Sequence, residues 1–396
     1  MKKLEKKIIY FTSFDSLGAL NASFNNFFNS LTKNFNKVII INSDNLRIFK
    51  KKKFYVNKSI VKKFSKKITF LNPINFNQLN NSISFNNSVI VHDIQRSFSH
   101  FRLMHFFAKK KVPQIMIANT GNIQASQYYY WKKNFRFIFY YLRRELPKKI
   151  TVLLTVIGFF SKIDIRFTSN KKLYQLFYKN KKRMLSKPSL YKEMILVKSK
   201  HFDFDNKIKT SEHYITLIET DLDYYHTLEA VGSFDKNKVS LHYKNTIKLL
   251  RKLKNLYKKK IIICIHPSYD IKKISKIYKE FDVIKFRTKE FIAKSYMVLF
   301  YDSSSILDAM ALKKRIIALR TDLLFGHKHI SDSYTDIISF KKLNLSKEIK
   351  INKNKLILEL NNKIILYNKY FNVYASADLK NKGDEEIIRT INKRFF

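Results

Sequence analysis

Short apolar runs rich in β-branched residues recur along the chain at Ile8 to Thr12, Val38 to Asn42, Val89 to His92 and Gln114 to Ala118, with longer amphipathic stretches between them. Runs of this length and composition read as strands, and the stretches between them as helices. The runs are apolar on both alternations, as strands covered on both faces must be, so an open parallel α/β sheet is expected. Ile163 to Thr168 and Met194 to Val197 extend it. The rhythm restarts at Tyr214 to Ile218, passes through a helix over His242 to Tyr257, and returns as strands at Ile261 to Ile265, Val283 to Phe286, Met297 to Tyr301 and Arg315 to Leu319. Two similar α/β halves follow. The polar stretch His201 to Ser211 (HFDFDNKIKTS) is the expected linker, giving domains 1–205 and 206–396. Helices within 355–396 are available to pack back on the first domain. The sequence has no internal repeat and no glycine-rich phosphate loop.

A chain of 396 residues, 45% hydrophobic, has enough apolar side chains for two cores. Its formal charge of +48 comes from 78 Lys and Arg against 30 Asp and Glu. Such an excess suggests nucleic acid or an anionic membrane. Lys and Asn are spread evenly, however, and Gly and Pro number only 6 and 5, which points to a coding bias rather than a nucleic-acid patch. No nucleic-acid partner is expected. An anionic membrane surface is still favoured, at about 1 kcal/mol for each Lys or Arg near it.

Tyr128 to Ile163 is the most unusual segment, interleaving aromatic residues with basic clusters, and Pro147 is expected to separate two pieces of it. The second piece, Ile150 to Phe160, is too short to span a bilayer. A pair of such helices either lies in a membrane interface or covers the first core. The N-terminal MKKLEKKIIYFTSFDSLG reads as a first strand, not a signal peptide. A cytoplasmic protein able to bind the inner membrane face is the expectation. Cys264 is the single cysteine, so an intramolecular disulfide and a thiolate zinc cluster are excluded, and its place in an apolar run predicts burial.

Two segments carry the candidate chemistry. In IIICIHPSYD, Ile261 to Asp270, a strand ends at His266 and Pro267. Open parallel sheets bind ligands at such carboxyl ends. An imidazole there can donate to a phosphate oxygen, or it can simply end the strand. In LFYDSSSILDAM, Leu299 to Met310, another strand leads through Ser303, Ser304 and Ser305 into a helix. Hydroxyls and N–H groups at a helix start converge on an anion, and they equally serve as a cap. Together the two segments place two anion-binding elements on one sheet edge.

This pair resembles the HP and Ser-Ser motifs of bacterial GT-B glycosyltransferases that build surface polysaccharides, notably sialyltransferases and related capsule and lipooligosaccharide transferases. The similarity covers residues 214 to 325, including a Tyr-containing helix before the HP strand and DSSSILDAMALKKRIIAL after it. The resemblance implies two Rossmann-like domains with a cleft between them. The second would bind a nucleotide-sugar, with His266 on its phosphate and Ser303 to Ser305 completing the cradle, and the cleft would hold a glycan or glycolipid acceptor. It implies no cofactor and no metal. A CMP-activated acidic sugar is the favoured donor. Where the sialyltransferase pattern has an acidic pair before glycine, this chain has Asn119-Thr120-Gly121.

Transfer to a hydroxyl needs a general base. Asp93, after Val89 to His92, is the first candidate and Asp15, in FTSFDSLG, the second, although an Asp at such a turn is often a helix cap. Asn119, Thr120 and Gly121 offer hydrogen bonds and a close backbone approach to a sugar. Glu219, Asp221 and Asp223 in LIETDLDYYHT either bind donor hydroxyls or form a solvated acidic loop. Tyr334 either helps to close the site or packs. Three rivals stand beside transfer. One is a teichoic-acid-type glycerol-phosphate or phosphosugar transferase, and another is a non-catalytic basic protein that binds membranes or nucleic acid. The third, a nucleotide-sugar epimerase, needs more cleft carboxylates than the sequence places.

Overall fold

The computed structural model describes residues 5–12, 27–48, 67–94, 100–118, 146–180, 190–199, 210–219, 236–265, 269–301, 303, 305–321, 323, 338 and 340–396. They form two compact α/β units. The first takes in the described parts of Met1–Thr120, Tyr140–Asp203 and Val373–Phe396, and the second those of Phe204–Asn372.

The sheet of the first unit has seven strands: β1 (Lys7–Thr12), β2 (Lys37–Asn42), β3 (Ile68–Leu71), β4 (Ser88–His92), β5 (Gln114–Ala118), β6 (Ile163–Thr168) and β7 (Tyr191–Leu196). Their spatial order is β3-β2-β1-β4-β5-β6-β7, and every pairing is parallel. The two-residue period divides the apolar runs between two cores. Ile8, Tyr10, Val38, Ile40, Val89 and Val91 face one side, while Ile9, Phe11, Ile39, Ile41 and Ile90 face the other. The final helix, Gly383–Phe395, adds Ile387, Ile388 and Ile391 to the first of these cores. Truncating a fully buried side chain such as Ile40 to Ala costs about 2–5 kcal/mol.

The second sheet has six strands: β8 (Tyr214–Ile218), β9 (Lys260–Ile265), β10 (Asp282–Lys285), β11 (Ser295–Phe300), β12 (Arg315–Arg320) and β13 (Lys341–Asn344). Their order is β10-β9-β8-β11-β12-β13, again all parallel. The helix Val239–Tyr257 covers one face through Leu249, Leu250, Leu253 and Tyr257, an i, i+1, i+4, i+8 stripe. It stops at Lys258 in the left-handed conformation, φ 54°, a place usually given to glycine in chains richer in it. Cys264 lies on the other face with Ile262 and Phe291, and burial pushes its thiol up to about 12.

Several sequence expectations need correction. Two strands were not anticipated, β3 because it is only four residues long and β13 because it has one apolar residue, and β7 begins three residues earlier than Met194. A short helix, Thr288–Ala293, separates β10 from β11 and ends where Ser295 begins the next strand. The piece expected before Pro147 lies outside the described residues, and Pro147 itself opens the second piece. It sits in the first turn of the helix Leu146–Val156, where its missing N–H and fixed φ are tolerated. Gly158, at φ 84°, follows that helix, so Ile157, Phe159 and Phe160 lie beyond its end. Among the described residues no helix is long and apolar enough to cross a membrane.

Candidate functional site

Each sheet has one point where the chain reverses its direction of travel across the strands. In the second it lies between β8 and β11, since β9 and β10 run one way from β8 and β12 and β13 the other way from β11. Splayed connections at such a point open a crevice at the carboxyl ends of the strands. Here three strands end level. Ile218 pairs with Cys264 on one side and Phe300 on the other, so Glu219 stands between Ile265 and Tyr301. The Glu219 N–H extends the ladder by donating to the Cys264 carbonyl at 2.9 Å. His266 follows Ile265 directly, and Ser303 lies two residues beyond Tyr301. His266, Pro267 and Ser304 themselves lie outside the described residues, as do Asn119, Thr120, Gly121, Asp15, Asp221, Asp223 and Tyr334.

Glu219 is not part of a solvated acidic loop. Its residue is 2% exposed, and its carboxylate accepts from the hydroxyl of Tyr278, which is fully buried. Burial, then the nearby Glu219 charge, raises the Tyr278 phenol well above its usual range, so the phenol stays protonated and donates. Around this pair the helix Val239–Tyr257 supplies His242, Tyr243 and Thr246. Tyr243 meets Tyr278 edge to face at 5.8 Å between centroids, His242 packs on Tyr301 at 5.1 Å, and Thr246 shares a 2.8 Å hydrogen bond with the Tyr301 hydroxyl. Burial and the Glu219 charge also raise Tyr301. A buried carboxylate bonded to one tyrosine hydroxyl and near a second tyrosine, at a switch point, is the kind of perturbed cluster found at functional sites.

The serine turn is less strongly polarised than its sequence implies. The helix after it, Ile306–Ala311, has six residues, so its dipole is small, and Asp308 already places a carboxylate in its first turn. Ser303 Oγ accepts from the Ser305 N–H at 3.2 Å, and Ser305 occupies the N-cap without a side-chain capping bond. Any grip on an anion here therefore comes from hydroxyl and backbone donors rather than from helix dipole.

Asp93 occupies the corresponding place in the first unit, where the reversal falls between β1 and β4. Phe11 pairs with His92, so Thr12 and Asp93 stand side by side one residue further on. The Thr12 hydroxyl donates to Asp93 Oδ2 at 2.9 Å, and the residue is half-buried. A carboxylate held this way, still reachable by solvent, is a competent proton acceptor. Among the described residues no group of three His, Cys, Asp or Glu is arranged to hold a metal ion.

Sequence reasoning did not single out Thr12, Tyr278, His242 or Thr246. Tyr301 was visible within LFYDSSS, but Tyr278 lies 59 residues from Glu219, and no local signal connects them.

The chain matches no protein-family model and no curated protein sequence. Its fold is similar to that of the glycotransferase of kitacinnamycin, with TM-score 0.54 and 9% identity over 99% of each chain. It is also similar to the MnaA–UDP co-structure from S. aureus, with TM-score 0.51 and 14% identity over 99% of this chain and 97% of that one. The UDP-GlcNAc 2-epimerase of Methanocaldococcus jannaschii gives TM-score 0.50 and 14% identity over 98% of this chain and all of the other. Identities this low speak to the fold alone, which is the two-unit parallel α/β architecture of GT-B proteins.

Proposed function

We propose that this chain is a glycosyltransferase that takes a sugar from a nucleotide-sugar donor and passes it to a cell-surface polysaccharide or lipooligosaccharide acceptor. The observation that carries the reading is the level ending of β9, β8 and β11, which brackets buried Glu219 between the strand leading to His266 and the strand leading to Ser303 and Ser305. In this reading His266 and the serine turn hold the donor phosphate. Glu219, braced by Tyr278, fixes the floor beneath them, and Asp93 takes the acceptor proton. The resemblance of the HP and serine segments favours a CMP-activated acidic sugar, whereas a structure of similar fold is a complex with UDP. A thermal-shift comparison of CMP, CDP, UDP and GDP separates these, because a ligand that binds only the folded state raises its stability. One of the four raising the melting temperature is expected. No shift from any of them would sink the proposal.

The 2-epimerase among the similar folds supports a second reading, isomerisation of the donor sugar. Transfer requires nucleotide release that depends on an acceptor, while epimerisation proceeds without one.

The described part of the basic-aromatic segment supports a membrane role in this reading. Val152 packs into a first-unit core with Ile163, Phe177 and Met194, while Leu153, Ile157 and Phe159 are 48%, 66% and 50% exposed. Exposed Lys149 and Lys162 lie close to them in sequence. Apolar side chains flanked by lysines suit an anionic bilayer surface, where the acceptor lipid would lie.

A further inference from the structure

At the opposite edge of the second sheet, where β8, β11 and β12 begin, lies a cavity of about 260 Å³. Three consecutive basic residues, Lys313, Lys314 and Arg315, line it together with Ser211, Glu212 and Tyr296. Arg315 is fixed from several directions. It pairs with Glu212 at 2.8 Å, donates to Asn361 at 2.9 Å, and stacks over the Tyr296 ring at 4.5 Å. Lys314 is 8% exposed, and its ammonium donates to the Ser211 carbonyl at 3.0 Å. Burial lowers its pKa. The Ser211 hydroxyl is buried in the same lining and has no hydrogen-bond partner among the described residues. Lys313 is exposed at φ 52° beside them.

The Lys314 ammonium has one carbonyl acceptor and shares the single carboxylate of Glu212 with Arg315, so its burial is only partly compensated, and the buried Ser211 hydroxyl has no partner among the described residues. Both deficits are relieved by an anion with several acceptor oxygens. Three cations against the one carboxylate of Glu212 leave the lining at +2 (3 − 1 = 2), the complement of a phosphate monoester, which approaches −2 at neutral pH. The cavity lies below the roughly 300–1,000 Å³ of drug-sized ligand pockets, so its occupant is small. We infer that this cavity is a second anion site that takes inorganic phosphate or a small phosphate monoester. It is separated from the serine turn by the six residues of β11, about 20 Å. The helix Ile306–Ala311 runs from Ser305 at one end to Lys313 just past the other, so an occupant would brace the element that carries the serine turn.

The test is a calorimetric titration of inorganic phosphate into the full chain at fixed ionic strength. Wild type, Lys313→Ala, Lys314→Met and the exposed control Lys244→Ala are compared, each also in a His266→Ala background to remove the candidate donor-phosphate contact. A saturable event that persists in the His266→Ala background is expected for the otherwise wild-type chain and for Lys244→Ala. It should weaken about tenfold in Lys313→Ala, the loss of one charge-assisted contact, and vanish in Lys314→Met. Lys313 is exposed, so its variant decides the matter even if Lys314→Met folds poorly. Equal affinity in wild type and Lys313→Ala, or no saturable binding in wild type, overturns the inference. Binding that disappears only with His266→Ala assigns the phosphate to the other edge of the sheet and overturns it as well.

Discussion

The Tyr278 hydroxyl donates to the Glu219 carboxylate in the interior of the second unit, directly below the residues where β9, β8 and β11 end. A carboxylate taken from water needs such donors, and removing one exposes the full cost of its burial. Tyr278→Phe should therefore lower stability by about 1–3 kcal/mol. Glu219→Gln should be destabilising too, and the double variant should cost clearly less than the sum, with a coupling of about 0.5–3 kcal/mol. Denaturant unfolding of the four proteins gives the cycle. Additive effects would show that the two groups do not support one another.

Asp93 is held by Thr12 at the reversal point of the first sheet. A general base contributes about 10²–10⁴-fold to rate, so Asp93→Asn should reduce kcat by that order. Donor affinity should stay within about twofold, because no bond to the nucleotide is lost. Thr12→Val, which removes only the bracing hydroxyl, should have a smaller effect. Initial-rate kinetics with donor and acceptor check this, and full activity in Asp93→Asn would pass the role of base to another residue such as Asp15.

The exposed side chains Leu153, Ile157 and Phe159 predict a measurable membrane preference. Replacing all three with Ser should cut cosedimentation with vesicles containing anionic lipid by tenfold or more at 150 mM salt, since about 0.8 kcal/mol is lost per buried CH₂ equivalent. Far-UV circular dichroism should remain unchanged, because Val152 and not these residues packs in the core. Unaltered cosedimentation would leave the positive charge alone as the source of any membrane affinity.

Strand content was legible in the sequence wherever a β-branched run was long and buried on both faces, as in KVIIIN of β2 and KIIICI of β9. It failed at two of the four sheet edges, β3 and β13, while the edge strands β7 and β10 were anticipated. In β13, KKLN, only Leu343 is buried, and β3 contributes just four residues, because an edge strand has one neighbour and less to bury. The strands that lead to the two candidate segments were legible, since β9, ending at Ile265 before His266, and β11, ending at Phe300 before the serines, lie on either side of β8. The interior of the site was not. In LIETDLDYYHT three acids look alike, and only its tertiary partner shows that Glu219 is a buried group. The serine turn misled in the other direction, because the length of the helix that follows it is set by Lys313 and the start of β12 rather than by a local stop signal.

The central claim is that nucleotide binds where β9, β8 and β11 end together. Calorimetric titration of the nucleotide that most stabilises the chain into wild type, His266→Ala and Ser303→Ala measures this directly. Each variant should bind about tenfold or more weakly, the loss of one hydrogen bond to a charged phosphate. Wild-type affinity in both variants would contradict the account.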